Sequence, residues 1–124
     1  MKKTIVWQAD AFELIAPGAD GKTVRAPAAM VLDPHQPFIL VSRVYPEGCE
    51  EAACLASAVA EAIFSHQVRP DEVHVRMGKE KIIMSLARDA GFMITLCDEL
   101  RELAAVKKDM AGYMRSALAA GVVV

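Results

Sequence analysis

Phe38-Ile-Leu-Val-Ser-Arg-Val-Tyr45 is followed by Pro46 and Gly48, and then by Ala52, Leu55, Ala56, Val59, Ala60, Ile63 and Phe64, so the hydrophobic period changes within one stretch of chain. The first part is rich in β-branched and aromatic residues, which fit a pleated, half-buried strand. The second repeats apolar residues every three and four positions, the stripe of an amphipathic helix. Its many alanines allow that helix to lie close to a sheet. The chain therefore passes at Pro46–Gly48 from consecutive strands to strands separated by helices.

On the N-terminal side, Thr4 to Ile15 alternates loosely and carries Ile5, Val6, Trp7, Phe12, Leu14 and Ile15, which predicts a strand ended by Pro17, Gly18 and Gly21. Ala19 to Pro27, with Asp20, Gly21, Lys22 and Thr23, is expected to be an exposed loop, and Ala28 to Leu32 a second strand. Asp33, Pro34, His35, Gln36 and Pro37 form a turn cluster, so that strand and Phe38–Tyr45 make an antiparallel hairpin.

On the C-terminal side, Arg69, Pro70 and Asp71 interrupt the helix, and Glu72-Val-His-Val-Arg-Met77 alternates as a strand. Lys79 to Ala90 presents Ile82, Ile83, Leu86, Ala87 and Ala90 on one helical face, with Gly91 placed to cap its C-terminus in the left-handed conformation. Phe92 to Cys97 is expected to be a short buried strand. Asp98 can cap a last helix whose inward stripe is Leu100, Leu103, Ala104, Met110, Met114 and Leu118, with Glu99 and Glu102 at the positive end of its dipole. The alanine-rich tail ends in Val122, Val123 and Val124 and is expected to fray or pack on a partner. The order βββαβαβα predicts an α/β fold: a mixed five-stranded sheet, antiparallel in its opening meander and parallel where right-handed crossovers intervene, with helices on both faces.

Composition narrows the function classes. At 124 residues the chain has the size of one domain, expected over 1–124, and 54% hydrophobic with 24% charged residues is a globular composition. Gln8 and Asp10 interrupt the apolar run that a secretory signal would need after Lys2 and Lys3, which points to a mature cytoplasmic N-terminus and no membrane association. The net charge of −2 offers no global field for a polyanion, so nucleic-acid binding would require a local patch. Cys49, Cys54 and Cys97 are odd in number and lack Cys-x-x-Cys spacing, and are expected to be buried reduced thiols; Cys49, near a helix start, is read as inert. His35, His66 and His74 form no zinc motif. The seven methionines are expected to fill the core, and an aromatic content of 6% offers no stacking platform for single strands.

Trp7-Gln8-Ala9-Asp10-Ala11-Phe12-Glu13-Leu14 resembles the Trp-Gln-x-Asp segment that opens the integrase core of retroviruses and transposons, a ribonuclease H-like domain. The hairpin Val31 to Arg43 resembles that core's second and third strands. Arg69-Pro70-Asp71-Glu72-Val73-His74-Val75-Arg76-Met77-Gly78 resembles its Pro-x-x-(Ile/Val)-x-x-Asp-Asn-Gly strand, and Asp89 to Ile94 its approach to the fifth strand. The chain is also similar to a bacterial family of uncharacterised domains with an Arg-Pro-x-x-(Ile/Val)-x-Val strand before a helix and a Gly-(Ile/Phe) turn. In active members of the integrase-like class, carboxylates on the first strand, the fourth strand and a later helix hold two magnesium ions.

Carried over residue by residue, the resemblance puts Asp10 at the first acid, but Arg76 at the second and Met77 at the following Asn. A guanidinium repels a cation instead of ligating it. Glu99, Glu102 and Asp109 are available as the third acid, yet capping and solvated-face roles account for them. Asp10 is therefore either a surviving ligand or, as expected with its partners missing, a polar residue on the exposed side of a strand. Arg76, Lys79 and Lys81 form either an anion pocket with the free N–H groups of the second crossover helix or, as expected, a solvated helix start whose lysines pair with Glu80 or other surface acids. No metal and no cofactor is expected. The resulting expectation is a non-catalytic ribonuclease H-like domain that serves as a protein-interaction or assembly module, a homodimer through its alanine- and methionine-rich helices being one form of it. The alternative is residual metal-dependent, integrase-like nucleic-acid chemistry at Asp10.

Overall fold

A computed structural model describes residues 4–18, 20–36 and 38–119. Lys2, Lys3, Ala19, Pro37 and Val122 to Val124 lie outside the described residues, as do the side chains of Ile82, Met114 and Leu118. The elements are β1 (Val6–Pro17), β2 (Thr23–Asp33), β3 (Phe38–Val44), α1 (Glu51–His66), β4 (Glu72–Arg76), α2 (Glu80–Ala90), β5 (Met93–Cys97) and α3 (Arg101–Ala119). The five strands form one mixed sheet in the order β3-β2-β1-β4-β5. β1 pairs antiparallel with β2 and parallel with β4, which makes it the central strand.

Alternation along β1 distributes its side chains between two cores. Trp7, Ala9 and Ala11 face α1 and α2, packing with Val31, Leu55, Ala58, Val59, Val73 and Ile83. Phe12 and Leu14 face α3, packing with Met30, Leu32, Leu100 and Leu103. Helices thus cover both faces, and α3 lies over β1 and β2. The alanines Ala9, Ala11, Ala29, Ala58 and Ala62 line the contact between α1 and the sheet with essentially no exposed surface, so helix and strands approach closely.

Several expectations are corrected. β2 begins at Thr23, five residues before the expected Ala28, because the antiparallel ladder runs on to Pro17↔Thr23. The turn is closed by the Gly18 N–H donating to the Lys22 carbonyl at 2.7 Å, and the Lys22 N–H donates to Asp20 Oδ1 at 3.0 Å. Cross-strand pairing overrides the polar, loop-like composition of this segment. Phe64, assigned to the inward stripe, is 85% exposed, because it lies about half a helical turn from Leu55 on the face away from the sheet. Ala104 is exposed for a similar reason: it is displaced around α3 from the Leu100–Leu103 contact. The expected buried strand β5 is an edge strand, and Met93 and Leu96 are exposed on it. Asp98 is not the cap of α3: the Ala104 N–H bonds to the Leu100 carbonyl at 2.8 Å, which makes Leu100 the capping position.

Gly91 caps α2 as expected, with φ +84° and its N–H bonded to the Ala87 carbonyl at 2.8 Å. A Cβ there would also meet Arg69 Nη1 at 3.2 Å. Gly91→Ala is expected to cost about 1 kcal/mol, since an L side chain is strained at positive φ. A fall in Tm on the order of 4 °C checks it. Among the described residues no helix is long and apolar enough to cross a membrane.

Candidate functional site

The parallel register of β1 and β4, Val6↔Glu72 through Gln8↔His74, continues to bring Asp10 and Arg76 side by side on the face that α3 covers. Arg76 Nε stands 2.9 Å from Asp10 Oδ2, and Lys79 Nζ stands 3.7 Å from Oδ1. Lys79 also donates to the Ala11 carbonyl and reaches Glu51 Oε2 at 3.0 Å, tying the segment before α2 to β1 and α1. The Arg76 contact is ionic but poorly directed: neither Arg76 Nε nor Asp10 Oδ1 makes a hydrogen bond, although both atoms are buried.

Asp10 is only 4% exposed, which corrects its expected position on the exposed side of a strand. The correction has a physical cause. β1 is central and α3 closes its second face, so every residue there from Gln8 to Phe12 is buried, and a carboxylate in that position requires counter-charge. Arg76 and Lys79 supply it. A third cation, Lys107, lies 4.1 Å over the ring of Phe12. Burial lowers its pKa, opposed by attraction to Asp10 and reinforced by repulsion from Arg76 and Lys79. Asp10, Arg76, Lys107, Asp98, Glu99 and Leu103 share a small cavity of about 200 Å³.

The other acids take different places. Glu99 lines the cavity with Asp10 but forms no pair with it, and Asp109 is exposed. Glu102 has a role beyond the helix dipole. Its Oε2 accepts a 2.6 Å hydrogen bond from Gln8 Nε2, while Gln8 Oε1 accepts from the Leu103 N–H at 2.9 Å. That N–H is one of the first-turn donors for which a helix has no internal partner. A β1 side chain therefore caps α3 from the sheet. The sequence signal was a lone glutamine between the core residues Trp7 and Ala9. The bond to Gln8, ahead of smaller contributions, holds the Glu102 carboxyl below its ordinary value of 4.5.

The Arg76, Lys79 and Lys81 anion pocket is not assembled as a set. Arg76 and Lys79 turn toward Asp10, whereas Lys81 is exposed. At the start of α2 the Gly78 N–H donates to Glu80 Oε2 at 2.7 Å. The alternative, a solvated start whose lysines pair with surface acids, holds in part: Lys81 is exposed and Lys79 pairs with the partly exposed Glu51, but the Lys79 side chain is mostly buried and also stands near Asp10. Met77, which follows β4, is 62% exposed. The histidines are dispersed: His74 Nε2 is 3.1 Å from Glu72 Oε1, His66 packs edge-on against Phe38, and His35 lies in the β2–β3 turn. Cys54 is buried and Cys97 partly so, and burial raises both thiols. Cys49 is exposed, contrary to expectation, because it stands in the turn before the α1 cap at Glu50. Among the described residues no three His, Cys, Asp or Glu side chains are grouped to hold a metal ion.

No protein-family model matches the chain, and no curated protein matches it significantly in sequence.

Proposed function

We propose that this chain is a non-catalytic domain of the ribonuclease H-like kind, related in design to integrase cores, that works as a protein-interaction or assembly module. One observation carries the reading: the cation of Arg76 stands 2.9 Å from the only acid of β1 that faces α3, at the position where an integrase-like core would offer a second carboxylate. Two like-charged carboxylates sharing a divalent ion is the electrostatic opposite of this pair. The antiparallel meander joined to two parallel crossover strands supports the fold part of the reading, and the Trp7-to-Leu14 and Arg69-to-Gly78 segments support the resemblance. Lys79 and Lys107 add positive charge around the same carboxylate and offset the acids Asp98 and Glu99 that line the cavity with it.

Thermal unfolding with and without millimolar Mg²⁺ or Mn²⁺ tests it. A ligand that binds only the folded state raises Tm. The expected result is the same Tm with and without metal, for the parent protein and for Asp10→Ala alike. A metal-induced rise that disappears in Asp10→Ala would overturn the proposal in favour of residual integrase-like chemistry at Asp10.

A further inference from the structure

We infer that the outer face of α2 with the neighbouring edge strand β5 is the surface on which a second copy of this chain docks, two α2 helices packing antiparallel about a two-fold axis through Met84. The inference rests on the assembly-module reading and gives it a partner and a surface. α2 has two sides. Ile83 and Ala87 point into the core with 0% and 7% exposure, while Met84 on the outer side is 49% exposed. Beside it, on the same face of the sheet, Leu96 is 44% exposed, so an apolar strip of α2 and β5 stands in solvent. Glu80, Met84, Arg88, Ala87, Ile94 and Leu96 line a shallow groove of about 320 Å³ between α2 and β5. Its walls are mainly apolar, and its charges lie at the two ends.

The arrangement of those charges selects the occupant. Glu80, Met84 and Arg88 are four residues apart and share one stripe of the helix, the acid one turn before the methionine and the base one turn after it. A two-fold axis at Met84 reverses the order in the second copy. Each Glu80 then faces an Arg88 across the interface, Met84 meets Met84, and the same patch serves both sides, as closed two-fold symmetry requires. Parallel pairing would oppose acid to acid and base to base. The Gly78 N–H occupies only Oε2 of Glu80, leaving Oε1 for the second copy. Pairing also removes from water Met84 and Leu96, which the monomer leaves exposed.

Charge reversal with mixing tests the interface by sedimentation velocity and light scattering, with circular dichroism as the control for folding. The parent chain is expected at twice its monomer mass. Arg88→Glu and Glu80→Arg are each expected as folded monomers, since each opposes like charges. Mixed together they are expected to form a heterodimer, because the first supplies two acids and the second two bases. A parent chain that stays monomeric throughout, an Arg88→Glu variant that stays dimeric, or two folded variants that fail to combine would each overturn the inference. Those outcomes leave the non-catalytic reading standing. That reading falls instead if metal raises Tm in an Asp10-dependent way, whatever the oligomeric state.

Discussion

Arg76→Ala is expected to destabilise the protein by about 2 kcal/mol, and Asp10→Asn by less, on the order of 1 kcal/mol, although the two side chains form the same ion pair. The asymmetry follows from where each charge sits. The Asp10 side chain is 5% exposed and that of Arg76 42% exposed. Removing the base leaves a buried carboxylate whose nearest remaining cation is Lys79 at 3.7 Å, a residue already committed to Glu51 and the Ala11 carbonyl. Breaking a fully buried pair in this way costs roughly 3–5 kcal/mol, and the exposure of the guanidinium reduces that figure. Removing the acid instead leaves a guanidinium that can turn toward water and a lysine that keeps two other partners. Adding Asp10→Asn to Arg76→Ala should therefore recover stability, because it deletes the stranded charge. Urea midpoints of the two single variants and the double variant measure the cycle. An Arg76→Ala change without effect, or a double variant less stable than Arg76→Ala alone, would contradict this account.

How much of the architecture could be read from residues alone depended on which interactions fixed each element. α1 and α2 were recognisable because their apolar residues repeat with the helical period, and the Gly91 cap because few residues other than glycine tolerate its φ of +84°. The start of β2 was hidden because Thr23 to Pro27 owes its extended form to a partner strand rather than to its own composition. The fates of the methionines were hidden as well. Met30 is fully buried on the central hairpin, whereas Met77, Met84 and Met93 lie on or near β5, an edge strand among the described residues. Side-chain chemistry does not encode that position. At the site, a basic residue at position 76 was visible in the sequence, but the burial of Asp10 depended on α3 folding back over β1. Lys107 and Gln8 could not be connected to the site without that long-range contact, since Gln8 and Leu103 are 95 positions apart.

The same contact makes Gln8 the second sensitive point. Gln8→Leu keeps the volume and removes the amide that caps α3, at an expected cost of about 2 kcal/mol. Most of it comes from the buried Leu103 N–H, which loses its acceptor in a place water does not reach; Glu102 lies at the surface and regains water. The two parts separate by pH. The folded-state pKa of Glu102 is depressed by the Gln8 bond, so that contribution is present above 4.5, the ordinary value, and is lost as pH falls through the lower folded value. The stability gap between parent and Gln8→Leu should narrow as the pH falls from about 4.5 through the lower folded value, without closing, because the bond to the Leu103 N–H does not titrate. Hydrogen exchange at Leu103 should quicken in the variant at every pH. A gap independent of pH would remove Glu102 from the latch, and unchanged exchange at Leu103 would remove Gln8 from the capping of α3. If both responses appear, the Trp7-to-Leu14 segment holds its covering helix through Gln8 and its buried charge through Asp10, two polar residues on one face of one strand.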